Sequence, residues 1–417
     1  MLQTLKKFLS TILPGIFILG FNIGTGSVTA MAKAGASYGM SLLWTVLISC
    51  MITFVMLVSY DRLTLVTGET ALFAFRKYIH PFVGIFFIIA LTTAVCGSII
   101  GVMGIVADIC SEWSKMYLAD GIDATYFALF FILLVYTIFL TGRTKYFQKI
   151  LALLVALMAL AFLINFFLLT PPASAILKGL IPAIPDNVDT RGRGPFLVIA
   201  SMVGTTVFSG LFIIRTTLVK EAGWGLSDTR IQRRDALLSV LMMFLISTTI
   251  MAAAAGTLYV NNLGLKNAIE MITLLEPLAG RFAVAIFATG IIAAGVSSQF
   301  PNILMLPWLL CDYRQTKRDM TLPFYRIIVF IISFLGLIVP VFEAPPVLVM
   351  IASQVFSALI LPVTVICISY LGNQKKIMHR FVFSTGHNLT LILIFIFSCF
   401  MSFIGLRGIW ETIRALL

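Results

Sequence analysis

Gly24-Thr25-Gly26-Ser27 interrupts an apolar segment that would otherwise form one membrane-spanning helix. Glycine is a poor helix former, and serine and threonine compete for backbone hydrogen bonds. A break in hydrocarbon leaves backbone groups that no water can reach. It persists only where it lines a cavity or meets a ligand. A second interrupted segment lies far downstream, at Gly204-Thr205-Thr206-Val207-Phe208-Ser209-Gly210.

Composition places both segments in a membrane protein. Of 417 residues, 60% are hydrophobic and only 11% are charged. The mean hydropathy of +1.05 exceeds what a soluble core of this size needs. No cleavable signal peptide is expected, because the first apolar stretch carries polar residues and runs straight into the bundle. Cys50, Cys96, Cys110, Cys311, Cys367 and Cys399 fall in or beside apolar spans without a CxxC pair. They read as buried small hydrophobes rather than a disulfide or zinc framework.

The apolar runs predict an all-α chain of about eleven membrane helices. They are Ile12–Ala36, Ser41–Leu63, Pro81–Val106, Ala124–Thr141, Ile150–Leu169, Phe196–Leu218, Leu237–Val260, Phe282–Leu310, Pro323–Phe342, Pro346–Leu371 and Leu389–Leu406. Pro301 and Pro307 predict a kink in the eighth.

Alternating these spans from a cytoplasmic N-terminus puts most cations inside. Lys6, Lys7, Arg62, Arg76, Lys77, Arg230, Arg233, Arg234, Lys375 and Lys376 are among them. The opposite side holds Asp108, Glu112, Asp120, Asp123, Asp186 and Asp189, which satisfies the positive-inside rule and puts the C-terminus outside. The net charge of +12 is therefore topological, and no nucleic-acid partner is expected.

The longest polar connection, Thr170–Pro195, leaves five spans before it and five after, with one extra at the end. This predicts a single membrane transport domain, 1–417. Residues 1–170 form a first repeat, 195–371 a second, and 389–406 the extra helix. An odd number of helices per half gives the halves opposite orientation, the inverted-repeat logic of LeuT-type transporters.

Several segments resemble the Nramp group of metal-ion transporters. They are Ala34-Gly35-Ala36-Ser37-Tyr38-Gly39-Met40-Ser41-Leu42-Leu43-Trp44, Leu65-Val66-Thr67-Gly68, Gly290-Ile291-Ile292-Ala293-Ala294-Gly295-Val296-Ser297-Ser298, Ser353-Gln354-Val355 and Leu361-Pro362. The resemblance implies a divalent metal ion as cargo. It also marks departures. Where the family carries Asp-Pro-Gly-Asn, this chain has Gly24, Thr25, Gly26 and Ser27. Where it carries Met-Pro-His-Asn, this chain has Phe208, Ser209, Gly210 and Leu211. The third-helix acids become Val95 and Ser98, and the eighth-helix Gln becomes Val296. Gln354 is retained.

A divalent ion sheds hydration energy that charged or strongly basic ligands normally offset. Thr25, Ser27, Thr205, Thr206, Ser209, Gln354 and free carbonyls supply only neutral oxygens. No acid is expected deep in the core, with Asp61, Glu69 and Asp108 placed near helix ends. Tight transition-metal binding and proton symport through the third helix are therefore not expected. Gly24-Thr25-Gly26 instead resembles the first break of LeuT-type amino-acid transporters, whose N–H groups hold a substrate carboxylate.

The candidate substrate residues are thus Gly24, Thr25, Gly26, Ser27, Thr205, Thr206, Phe208, Ser209, Gly210 and Gln354, with Asn22, Ser98 and Arg215 along a pathway. The family's metal-ligand positions correspond to Gly24, Ser27 and Phe208. Arg215 either serves that pathway or snorkels to the cytoplasmic face. Lys33 reads as an interfacial anchor, Asn22 as a brace for the break, and Asn165 as interhelical glue.

Two cargo readings stand: a divalent metal by resemblance, or a small neutral, zwitterionic or anionic solute by residue chemistry. A third reading is a membrane sensor that kept the fold and lost transport, as in a plant ethylene-signalling protein. No nucleophile–base pair or metal motif marks an enzyme. No cofactor is expected. The expected partners are the cargo and the lipid bilayer of a bacterial inner membrane, and a monomer suffices.

Overall fold

The computed structural model describes residues 24–115, 117–118, 120–142, 153, 156–157, 159–164, 172–185, 194–261, 265, 270 and 283–414. In chain order the principal helices are α1 (Thr25–Tyr38), α2 (Leu43–Thr67), α3 (Pro81–Ser114), α4 (Ala124–Thr141) and α5 (Phe196–Thr206). They continue with α6 (Ser209–Glu221), α7 (Thr229–Ala254), α8 (Ala283–Arg314), α9 (Pro323–Phe334), α10 (Pro346–Gly372) and α11 (Thr385–Arg414). A π-helical turn, Ala255–Tyr259, extends α7.

Local chemistry fixes several ends. His80 accepts from the Phe82 N–H ahead of Pro81, which opens α3 where a missing N–H costs nothing. Asp123 Oδ1 accepts from Thr125 N at 2.7 Å and caps α4. The same Thr125 bonds hold the Asp123 carboxyl below the usual carboxylate range. Gly68 and Gly142 close α2 and α4 with φ of 67° and 66°, a region other residues enter at a cost.

Nine helices among the described residues are long and apolar enough to cross a membrane. They answer to the predicted second to fourth and sixth to eleventh spans. Of the predicted first span, α1 is the described part. Of the fifth, only short pieces are described, and they are helical. Side chains such as Phe82, Ile89, Phe130, Ile392 and Phe403 point outward, where lipid replaces water. The chain is an integral, multi-pass membrane protein.

Differences from the sequence expectation have physical causes. Helices α2 and α3 run to Thr67 and Ser114, beyond the expected ends at Leu63 and Val106, and α3 passes Asp108 and Glu112 on the way. Likewise α7 begins at Thr229, eight residues before the first residue of the predicted span. All six cysteines are free thiols, but Cys399 is exposed rather than buried.

Two groups of helices hold the core. One packs α1 and α2 on α7, and sets α1 against α5 and α2 against both α5 and α6. The other sets α3 against α4, α8 and α10. Helix α10 also packs on α5 and α11, joining the groups. Gly35 brings α1 onto the Met251 carbonyl of α7, where any Cβ would collide. Gly204 brings α5 onto the Gln354 carbonyl of α10 in the same way.

Candidate functional site

The chain is discontinuous twice. Helix α1 starts at Thr25, with Gly24 extended at its N-cap (φ −89°, ψ 176°). The Gly24 carbonyl accepts from Ser27 N at 3.1 Å and Val28 N at 3.2 Å. Thr25, Gly26 and Ser27 therefore form the first helical turn, correcting the expectation that all four residues are unwound. The reason is elementary: the first N–H groups of a helix lack intrahelical partners anyway, so glycine and hydroxyl residues cost little there. Residues before Gly24, including Asn22, lie outside the described residues, as does Asn165.

The second discontinuity is shorter than expected. Helix α5 ends at Thr206 and α6 begins at Ser209, leaving only Val207 and Phe208 non-helical. Thr53 Oγ1 of α2 donates to the freed Thr206 carbonyl at 2.9 Å. Thr364 Oγ1 of α10 donates to Ser209 Oγ at 2.8 Å. The break is thus braced from two neighbouring helices.

Both discontinuities meet one cavity of about 50 Å³. Gly24, Thr25, Gly26, Ser27, Thr205, Phe208 and Gln354 line it, with Ser98 on α3. Val95 of α3 lines it too. Thr206, Ser209 and Gly210 do not line it. The Thr206 hydroxyl turns back to the Met202 carbonyl, Ser209 is engaged by Thr364, and Gly210 lies under the Phe208 ring beside Met305. Gly204, the flanking glycine, serves close packing.

The wall also holds Ser298 and Asn302 of α8 and Met350 and Ser357 of α10, none of which the sequence reading singled out. Helical spacing could have found them. Met350 lies four residues before Gln354, and Asn302 four after Ser298, so each pair shares a face. Asn302 Nδ2 donates to Ser98 Oγ at 3.3 Å, tying α8 to α3 across the cavity. Met350 brings a thioether to the cavity from α10, although Phe208 occupies the position where the family has methionine.

Thr25 is fully buried, and among the described residues its Oγ1 has no hydrogen-bond partner. A buried hydroxyl left unsatisfied costs about 1–3 kcal/mol, so an occupant of the cavity would recover it. The other polar lining groups are neutral oxygens and amides. Among the described residues, no cluster of three or more His, Cys, Asp or Glu side chains could hold a metal ion.

Arg215 does not reach this cavity, nor does it snorkel. It is fully buried in α6, with Nε 3.1 Å from Asp61 Oδ2 and Nη1 2.5 Å from Asp235 Oδ2. Asp61, expected near a helix end, is fully buried in α2, which continues to Thr67. Lys33, expected at an interface, is only 8% exposed and donates to the Leu265 carbonyl at 3.1 Å. Glu69 is where it was expected, pairing with exposed Lys77 at 2.6 Å.

Broken helices around a central cavity, with two packed helix groups, define a multi-pass membrane protein of the LeuT-type fold. The solved structures agree. A manganese transporter from Eremococcus coleocola superposes with a TM-score of 0.76 at 16% identity, covering 99% of this chain and 95% of that one. The inward-facing conformation of Mhp1 gives 0.63 at 14% identity, covering 97% and 91%. A sequence model described as natural resistance-associated macrophage protein-like matches residues 15–407, so the chain belongs to the Nramp family. Among curated relatives, the divalent metal cation transporter MntH of Klebsiella pneumoniae subsp. pneumoniae is 27% identical over 291 residues. The chain spans 65% of that relative's length with 66% of its own. MntH of Pectobacterium carotovorum is 23% identical over 305 residues, covering 71% of each chain.

Proposed function

We propose that the protein is a secondary transporter that carries a divalent metal ion by alternating access and keeps part of the ion's water shell. Family membership supports the class of cargo. The single observation that carries the finer reading is the cavity: about 50 Å³, at the meeting of two helix breaks, its polar lining groups all neutral oxygens and amides among apolar ones such as Val95, Phe208 and Met350. At roughly 10–15 Å³ per water, that space takes a few waters. Organic ligands usually occupy pockets of about 300–1,000 Å³. A retained water shell removes most of the dehydration cost that a carboxylate would otherwise offset, and it suits a hard ion such as magnesium. Thr25, Ser27, Ser98, Thr205 and Gln354 are proposed to hold those waters.

The halves 1–170 and 195–371 are proposed as the inverted repeats that rock about the cavity, with the N-terminus cytoplasmic in a bacterial inner membrane. The amino-acid-like alternative keeps one specific support. The first turn of α1, Thr25 to Ser27, lines the cavity with a helix N-terminus and two hydroxyls, an arrangement suited to a carboxylate.

Calorimetry and flux into proteoliposomes separate the readings. The expected result is uptake of magnesium and manganese with similar, weak affinity, a Kd on the order of a millimolar. Micromolar manganese binding that disappears in Ser27→Ala and Thr205→Ala would sink the hydrated-ion reading. Uptake of a neutral amino acid in place of any metal would establish the alternative.

A further inference from the structure

A groove of about 460 Å³ runs between α10 and α11 and shares no lining residue with the central cavity. Helix α10 walls it from Val365 to Gln374, and α11 from Leu391 to Phe395. Ile366, Tyr370 and Ile392 are about half exposed, at 51%, 48% and 55%, so the groove opens outward from the bundle. In a membrane protein that direction is hydrocarbon.

The groove is graded along its length. Ile366, Ile392 and Phe395 make its apolar part, and Ser369, Asn373 and Gln374 its polar end. Asn373 and Asn388 exchange side-chain amide hydrogen bonds at 2.9 and 2.7 Å, tying the two helices at that end. Helix α10 has 27 residues and is about 40 Å long, against a hydrocarbon core of about 30 Å. Its end at Gly372 therefore reaches the headgroup region. Tyr370, a residue type enriched at that interface, marks the same level.

Just past this end the chain turns basic. Lys375 and Lys376 directly follow Gln374, and Arg380 comes four residues after Lys376. All three are exposed. Arg62 of α2 reaches the same connection, donating to the Val382 carbonyl at 3.3 Å with its guanidinium 5.6 Å from the Phe383 ring centroid. The sequence has no Asp or Glu between Glu343 and Glu411. Among the described residues, no acid pairs with Lys375, Lys376 or Arg380. Orientation alone accounts for cations at a helix end. It does not account for an open apolar groove that runs up to them.

We propose that the α10–α11 groove binds an anionic phospholipid. An acyl chain lies along Ile366, Ile392 and Phe395, and the phosphate sits at the Lys375–Lys376 end. The apolar length suits a hydrocarbon chain, which needs no hydrogen bond. The unpaired cations select a negative headgroup, at roughly fivefold in affinity for each Lys or Arg near a membrane surface. A second copy of this chain is a poorer occupant, because a face-to-face pair sets the same cations against each other. The site does not depend on what the central cavity carries.

Native mass spectrometry of the delipidated full-length protein tests the site. The probes are dioleoylphosphatidylglycerol and dioleoylphosphatidylcholine, which share acyl chains and differ in headgroup charge. The expected result is a single phosphatidylglycerol held about tenfold or more tighter than phosphatidylcholine. The double variant Lys375→Gln, Lys376→Gln should weaken phosphatidylglycerol on the order of 30-fold and leave phosphatidylcholine unchanged. Ile392→Trp, which fills the groove from an exposed position, should weaken both lipids. A circular-dichroism melt near that of the wild type shows that these surface variants fold. If both lipids bind alike, or if the preference survives both sets of variants, the site is refuted. Displacement of the lipid by millimolar inorganic phosphate would make the ligand a free anion and overturn the proposal. So would a dimer that forms without lipid and is lost in Ile392→Trp.

Discussion

Two glycines show how one residue type serves two ends. A Cβ at Gly204 would strike the main-chain carbonyl of Gln354, which cannot move without shifting α10. A Cβ at Gly26 would meet only the Gln354 amide, 2.6 Å from Nε2, and the Met350 methyl, both at the ends of flexible side chains. Gly204→Ala is therefore expected to cost about 1–3 kcal/mol of stability, the usual penalty for overpacking. It should appear as a lower melting midpoint in detergent. Gly26→Ala should melt close to wild type yet lower uptake on the order of tenfold, about 1.4 kcal/mol of binding, by displacing Gln354. Equal loss of stability in both would show that Gly26 is a packing residue too.

At the scale of elements, the broken α5–α6 pair depends on donors from its neighbours. Thr53→Val removes the hydroxyl that satisfies the Thr206 carbonyl and keeps the side-chain volume. The stranded carbonyl should cost about 1–3 kcal/mol, read as a shifted thermal unfolding curve. Arg215→Ala should be harsher, about 3–5 kcal/mol, because it leaves the buried Asp61 without its arginine partner. Asp61→Asn in the same chain should recover part of that loss, and absence of any recovery would contradict the ion-pair account. These elements also mark what the sequence could convey. The breaks at Gly24 and Phe208 were legible because glycines and hydroxyls at membrane depth have few other uses. The Asp61–Arg215–Asp235 centre was not. The expected second span ends at Leu63, so Asp61 falls near its end, and the seventh begins at Leu237, so Asp235 falls just outside it. Only packing shows that both helices continue beyond these bounds and bury the acids against Arg215. Met350 was missed for the opposite reason: in an apolar helix, one more methionine carries no local signal.

At the scale of the whole molecule, the proposed alternating access requires the cavity to face each side of the membrane in turn. The two helix groups meet along α10, and the α1 and α5–α6 breaks lie at that seam. Ser98 is well placed to report it, because α3 belongs to one group while the helix breaks belong to the other. In a chain whose six native cysteines are replaced, Ser98→Cys should react with a membrane-impermeant thiol reagent from either side, at different rates. Cargo ion should shift the two rates in opposite directions, since one motion closes one path as it opens the other. Reaction from one side only, at a rate the ion does not alter, would describe a static pocket. It would favour the reading of a sensor that kept the fold without transport.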